Sequence, residues 1–153
     1  MVTIAIENPR SAEILELLRL GDEFAASLYP IDSCYMLDVS ELDAPGVTVL
    51  VARERAGEPA LGMVALVNRG DGTAEIKRMF VSEIARGLGI GSALMAAIDE
   101  SARAAGIRVI QLETGPRQPE AISLYSKHGY NHIDNFGPYI GDEFSVCMEK
   151  RLA

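Results

Sequence analysis

A mixed α/β fold, with about six to seven strands in a central sheet and about four helices, is predicted by three features of this 153-residue chain. Short apolar, strand-like runs recur between turn signals. One of them, residues 74–81, leads into Arg86-Gly87-Leu88-Gly89-Ile90-Gly91-Ser92, which opens a strongly patterned helix. A further run at residues 107–113 follows that helix. Two strands joined by a helical crossover lie parallel in one sheet.

Residues 2–6 read as a strand closed by Asn8-Pro9. Ser11 suits the N-cap of a helix whose stripe is Ile14, Leu15, Leu17 and Leu18. Gly21 is expected to break it, and Asp22 to cap a second short helix carrying Phe24, Ala25 and Leu28. Residues 29–35 read as loop, with Asp38, Glu41 and Asp43 close behind Tyr29 and Tyr35. Such a cluster is either a set of solvated acids or a seat for an ammonium group. Residues 47–52 and 60–67 form an antiparallel hairpin across a polar turn. Residues 68–72 are the strongest turn signal in the chain and deliver the strand at 74–81. That strand carries Glu75, Lys77 and Arg78, so part of it should line a cleft or water.

The next helix, about residues 89–105, repeats apolar positions at Ile90, Leu94, Ile98 and Ala102 and stops at Gly106. Pro119 is suited to the first position of a helix at 120–128 that Gly129 ends. Residues 130–134 and 144–150 complete the chain as an antiparallel pair.

Composition removes several function classes. A net charge of −8 opposes a nucleic-acid surface, which needs clustered Lys and Arg. No run approaches the roughly 18 apolar residues of a membrane span, and the first residues lack a signal-peptide pattern, so a cytoplasmic protein is expected. Cys34 and Cys147 form no CxxC pair and read as reduced thiols. His128 and His132 are separated by Gly129, which spoils a shared ligating face, so no metal is expected.

The glycine stretch is the main chemical signal. Uncovered amides at a helix N-terminus, with the positive end of the helix dipole, suit a diphosphate. No Lys follows these glycines, which excludes a Walker loop. The spacing Gly87-x-Gly89-x-Gly91 also departs from the dinucleotide fingerprint, although Glu113 at the end of the next strand keeps a dinucleotide oxidoreductase open as an alternative.

Arg86-x-x-Gly89-x-Gly91 follows a strand ending Met79-Phe80-Val81. With the helix, the strand at 109–113 and Ala121-x-x-x-Tyr125-x-x-x-Gly129-Tyr130 after it, the sequence resembles the GNAT superfamily of acetyl-CoA-dependent N-acetyltransferases. The resemblance runs from about residue 46 to the C-terminus. It implies the GNAT acyl-CoA N-acyltransferase fold over residues 1–153 as one domain, with the two parallel strands splayed around acetyl-CoA. Contacts to that cosubstrate would come from Phe80, Val81, Arg86, Gly87, Gly89, Gly91 and Ser92. Gln118 stands where the family usually has Asn, seven residues before the helix tyrosine. Tyr125 would be the general acid for the departing thiolate. A backbone N–H near Phe80 or Val81 would receive the thioester oxygen.

For the base that frees the amine, Glu75 is the candidate, with an ion pair to Lys77 or Arg78 as its alternative role. The activity implied is acetyl transfer to a primary amine of a small molecule or peptide by direct attack in a ternary complex. A non-catalytic acyl-CoA sensor of the same fold is the alternative. Homodimers are common in such folds. Acceptor choice would lie in the loops at 29–43 and 135–143.

Overall fold

The computed structural model describes residues 2–153. Its centre is a seven-stranded sheet built from β1 (Thr3–Ile6), β2 (Val47–Arg53), β3 (Ala60–Asn68), β4 (Thr73–Val81), β5 (Val109–Thr114), β6 (Asn131–Ile133) and β7 (Val146–Arg151). The order is β1-β2-β3-β4-β5-β7-β6, and only β4 and β5 run parallel. Four helices, α1 (Ala12–Leu28), α2 (Val39–Leu42), α3 (Ile90–Ala104) and α4 (Pro119–Lys127), complete the mixed fold. No helix among the described residues is long and apolar enough to cross a membrane.

The sheet is covered on both faces, which is why β2 and β3 are almost continuously apolar. Val49, Val51, Met63 and Ala65 point to Ile14, Leu17 and Leu18 of α1 and Leu42 of α2. Leu50, Ala52, Val64 and Leu66 point the other way, to Leu94, Met95 and Ile98 of α3. The crossover through α3 ends as its sequence requires, with Gly106 at φ 75°.

Two local expectations are corrected. Gly21 does not break the first helix: α1 runs unbroken through it because the glycine is buried against Phe80. Asp22 is therefore not a cap, and its carboxylate pairs with Arg78 instead. Asp38 and Glu41 form a capping box on α2, and Asp43 pairs with Arg10, so these acids do not gather around an ammonium site.

The feature that shapes the site is a bulge in β4. Met63 pairs with Phe80 and Ala65 with Lys77, so Arg78 and Met79 together oppose Val64. Arg78 takes φ 58°, alone among the described non-glycine residues. Its guanidinium is buried under α1, bound by the Asp22 carboxylate and by the Leu18 carbonyl at 2.8 Å. Pairing between β4 and β5 covers Thr73 to Ile76 against Val109 to Leu112 and stops there. From Lys77 onward the two strands part.

Two glycines bracket this region and respond in opposite senses to a methyl group. A Cβ at Gly21 would sit 3.7 Å from the Phe80 ring, an ordinary contact. Gly21→Ala is expected to stabilise the protein by about 0.5–1 kcal/mol through helix propensity. A Cβ at Gly62 would lie 3.0 Å from the Phe80 carbonyl oxygen, and that backbone cannot yield. Gly62→Ala should destabilise by about 1–3 kcal/mol. Urea denaturation of both variants checks the pair.

Candidate active site

The parting of β4 and β5 opens a cleft that meets solvent at its mouth. Residues Lys77 to Phe80 of β4, Glu113 and Thr114 of β5, Tyr125 of α4, Gln118 just before α4, and residues of α1 from Leu17 onward line it. The Ser82 N–H donates to the Leu61 carbonyl at 2.8 Å. Strand alternation turns the Met79 and Val81 amides away from β3, toward the open side.

The glycine loop lies at the start of α3, and its glycines answer to two different constraints. Gly87 and Gly89 take φ 84° and 77°, and no atom comes within 4 Å of where their Cβ atoms would be. They are there for backbone conformation. Gly91 is helical, and a Cβ on it would lie 3.0 Å from Leu124 of α4. It is there for close helix packing.

The first helical bond runs from the Ala93 N–H to the Gly89 carbonyl, 3.1 Å, so the amides of Ile90, Gly91 and Ser92 have no helical acceptor. No acidic side chain stands in this first turn. The resulting donor array suits an anion. Arg86 lies over the Phe24 ring at 5.7 Å, and His128 Nε2 meets Ser92 Oγ at 3.1 Å. Burial and the neighbouring Lys150 push the His128 imidazole below its ordinary value, so it is neutral near pH 7.

Tyr125 is 5% exposed and packs edge-on to Tyr130. Burial, reinforced by the charge of Glu113, raises its phenol well above the ordinary value. The group therefore stays protonated across the neutral range and is a donor throughout. Gln118 lines the cleft, and its side-chain oxygen accepts from the Tyr29 hydroxyl at 3.2 Å. The same hydroxyl accepts from the Arg117 N–H at 3.1 Å.

Glu75 is not among the residues lining the cleft. One of its oxygens pairs with Arg69 at 3.2 Å, and the other accepts from the Tyr139 hydroxyl at 2.6 Å. Lys77 donates to Tyr139 at 2.7 Å and stands 3.8 Å from the Glu75 carboxylate. These groups form a closed polar network under the loops.

Sequence reasoning did not place Glu113 in the cleft, which it lines. It projects from the last turn of pairing in β5, beyond Leu112, on the sheet face that carries Lys77. One oxygen accepts from Ser145 Oγ at 2.9 Å. Burial outweighs that bond and the attraction of Lys77, and raises the carboxyl pKa to about 7. A carboxyl that exchanges its proton near neutral pH beside a permanently protonated phenol supplies a base and an acid in one cleft. A signal was present in the sequence: Glu113 ends the run parallel to β4, where a crevice is expected.

A protein-family model, described as the Acetyltransferase (GNAT) family, matches residues 13–130. The chain belongs to the GNAT acetyltransferase family. It is 41% identical over 151 residues to a protein of Azospirillum brasilense named IAA acetyltransferase, covering 99% of this chain and 98% of that one. A Klebsiella pneumoniae structure described as an acyl-CoA N-acyltransferase superposes with TM-score 0.83 at 33% identity, covering 100% and 99% of the two chains. The PaiA N-acetyltransferase of Thermoplasma acidophilum, solved in complex with coenzyme A, shares the fold with TM-score 0.75 at 16% identity, each chain being 99% covered. The cleft at the parallel pair lies in this GNAT domain. Among the described residues, no group of three His, Cys, Asp or Glu side chains is gathered as for a metal ion.

The Glu113 shift carries a stability consequence. Its folded pKa, about 7, lies above the ordinary value of 4.5, so the folded state holds the proton longer than the unfolded one. Stability therefore falls as pH rises from 4.5 through 7 and is constant in this respect above. Glu113→Gln should remove the penalty. The variant is expected to exceed the wild type by at most about 3 kcal/mol at pH 8 and by little at pH 4.5. Thermal unfolding at the two pH values reads the difference.

Proposed function

We propose that the chain is a single N-acetyltransferase domain that moves acetyl from acetyl-CoA to a primary amine by direct attack in a ternary complex. The observation that carries this reading is the fork between β4 and β5, where Glu113 and Tyr125 line the same cleft. The coenzyme A bound to the Thermoplasma relative is consistent with it. The diphosphate would be held by the glycine loop, Gly87, Gly89 and the free amides of Ile90, Gly91 and Ser92, with Arg86 alongside. The pantetheine arm would follow the open edge of β4 at Phe80 and Val81, near Gln118.

In the chemical step, Glu113 rather than Glu75 takes a proton from the acceptor ammonium, because both Glu75 oxygens are already engaged. The freed nitrogen pair attacks the thioester carbon, and an amide of β4 receives the developing oxyanion. As the carbon–sulfur bond breaks, Tyr125 donates its proton to the thiolate. The phenolate is restored by the remaining nitrogen proton, directly or through water. The balance is one amide, one free thiol and one proton passed to solvent. Neither cysteine has a role in this sequence.

Thiol release from acetyl-CoA, measured against a panel of primary amines together with IAA, tests the reading. Tyr125→Phe should lower kcat at least about tenfold. In the wild type kcat/KM should fall as pH drops through about 7, where Glu113 takes up its proton, and Glu113→Gln should lose that limb. Glu75→Gln should keep it. Tight CoA binding with no release for any acceptor would favour a sensor; absence of CoA binding would overturn the proposal.

A further inference from the structure

Resting on the acyl-transfer reading above, we propose that the acceptor is an aromatic monoamine, its ring held by Tyr29, Tyr35 and Phe144 and its amine directed to Glu113. The first observation is where the aromatic residues lie. The chain has five Tyr and four Phe, and six of these nine line the one cleft. Three come from the segments flanking the cleft: Tyr29 and Tyr35 after α1, and Phe144 before β7. Tyr29 and Phe144 meet edge-on with centroids 6.2 Å apart, the arrangement into which another ring packs favourably. Met36 adds a polarizable wall beside them.

The second observation is charge. Of the chain's 22 acidic residues, only Glu113 lines the cleft. Its two cations are internally satisfied: Lys77 donates to the Tyr35 carbonyl at 3.0 Å and to Tyr139, and Arg78 to Asp22 and the Leu18 carbonyl. One carboxylate can receive one ammonium. A polyamine would bring further ammonium groups into a cleft that has no second acid among the described residues, and burying an unpaired charge is unfavourable.

Calorimetry with CoA present, using 2-phenylethylamine, n-hexylamine and spermidine, decides the matter separately from turnover. 2-Phenylethylamine is expected to bind at least about tenfold more tightly than spermidine and several-fold more tightly than n-hexylamine. In Phe144→Ala its affinity should fall at least fivefold, relative to an unchanged affinity for CoA that reports an intact fold. Equal binding of the aryl and alkyl amines overturns the aromatic seat, and preference for spermidine overturns the charge argument. Should CoA fail to bind, the acyl-transfer reading falls and the acceptor role with it, while the ranking of the three amines still decides whether the cleft seats an aromatic monoamine.

Discussion

Arg78 keeps the two central strands apart. A side chain at φ 58° in a strand is disfavoured by roughly 1–2 kcal/mol, and burying a guanidinium is far less favourable than that unless it is fully paired. Here the charge is 3% exposed and is met by Asp22 and a main-chain carbonyl of α1. The helix thus fixes the bulge, and the bulge turns β4 away from β5. Without that turn the ladder would continue past Ile76, its amides would be paired, and no cleft would exist for either substrate.

A second polar layer sits under the loops and reaches the cleft at Lys77 and Tyr35. Lys77 bridges the Tyr35 carbonyl and the Tyr139 hydroxyl, and Tyr139 passes the contact on to Glu75. Burial lowers the Lys77 pKa, while the nearby carboxylates oppose that shift. The Tyr35 hydroxyl in turn donates to Asp142, tying the segment after α1 to the loop before β7 at 2.6 Å. Two stretches more than 100 residues apart in sequence therefore share one polar support. Glu75 belongs to this support, which accounts for a charged residue in mid-strand.

The sheet, the α3 crossover and the glycine turn before it were legible because local rules fix them. Glycines before a patterned helix, a helix between two apolar runs, and Gly106 after the last periodic residue each specify their structure in a few residues. Gly21 was misread because propensity sees a breaker, whereas packing against Phe80 keeps the helix whole. Glu75 and Glu113 could not be ranked from sequence. Both lie on the same face of adjacent strands, and what separates them is a set of distant partners: Arg69 and Tyr139 for one, Ser145 and a desolvated cleft for the other. Such partners come from the tertiary fold, and no spacing rule encodes them.

The packing of α3 on α4 has a metrical consequence. Gly91 lets Leu124 approach closely, and His128 reaches Ser92, so the amide cradle and the Tyr125 phenol ride on two helices clamped together. The span between them is set by side-chain contact and not by a flexible loop. On the proposed reading the enzyme works as a gauge: it measures the arm linking a diphosphate to its sulfur. A donor with a shorter arm would bring its phosphates or its thioester into register, never both.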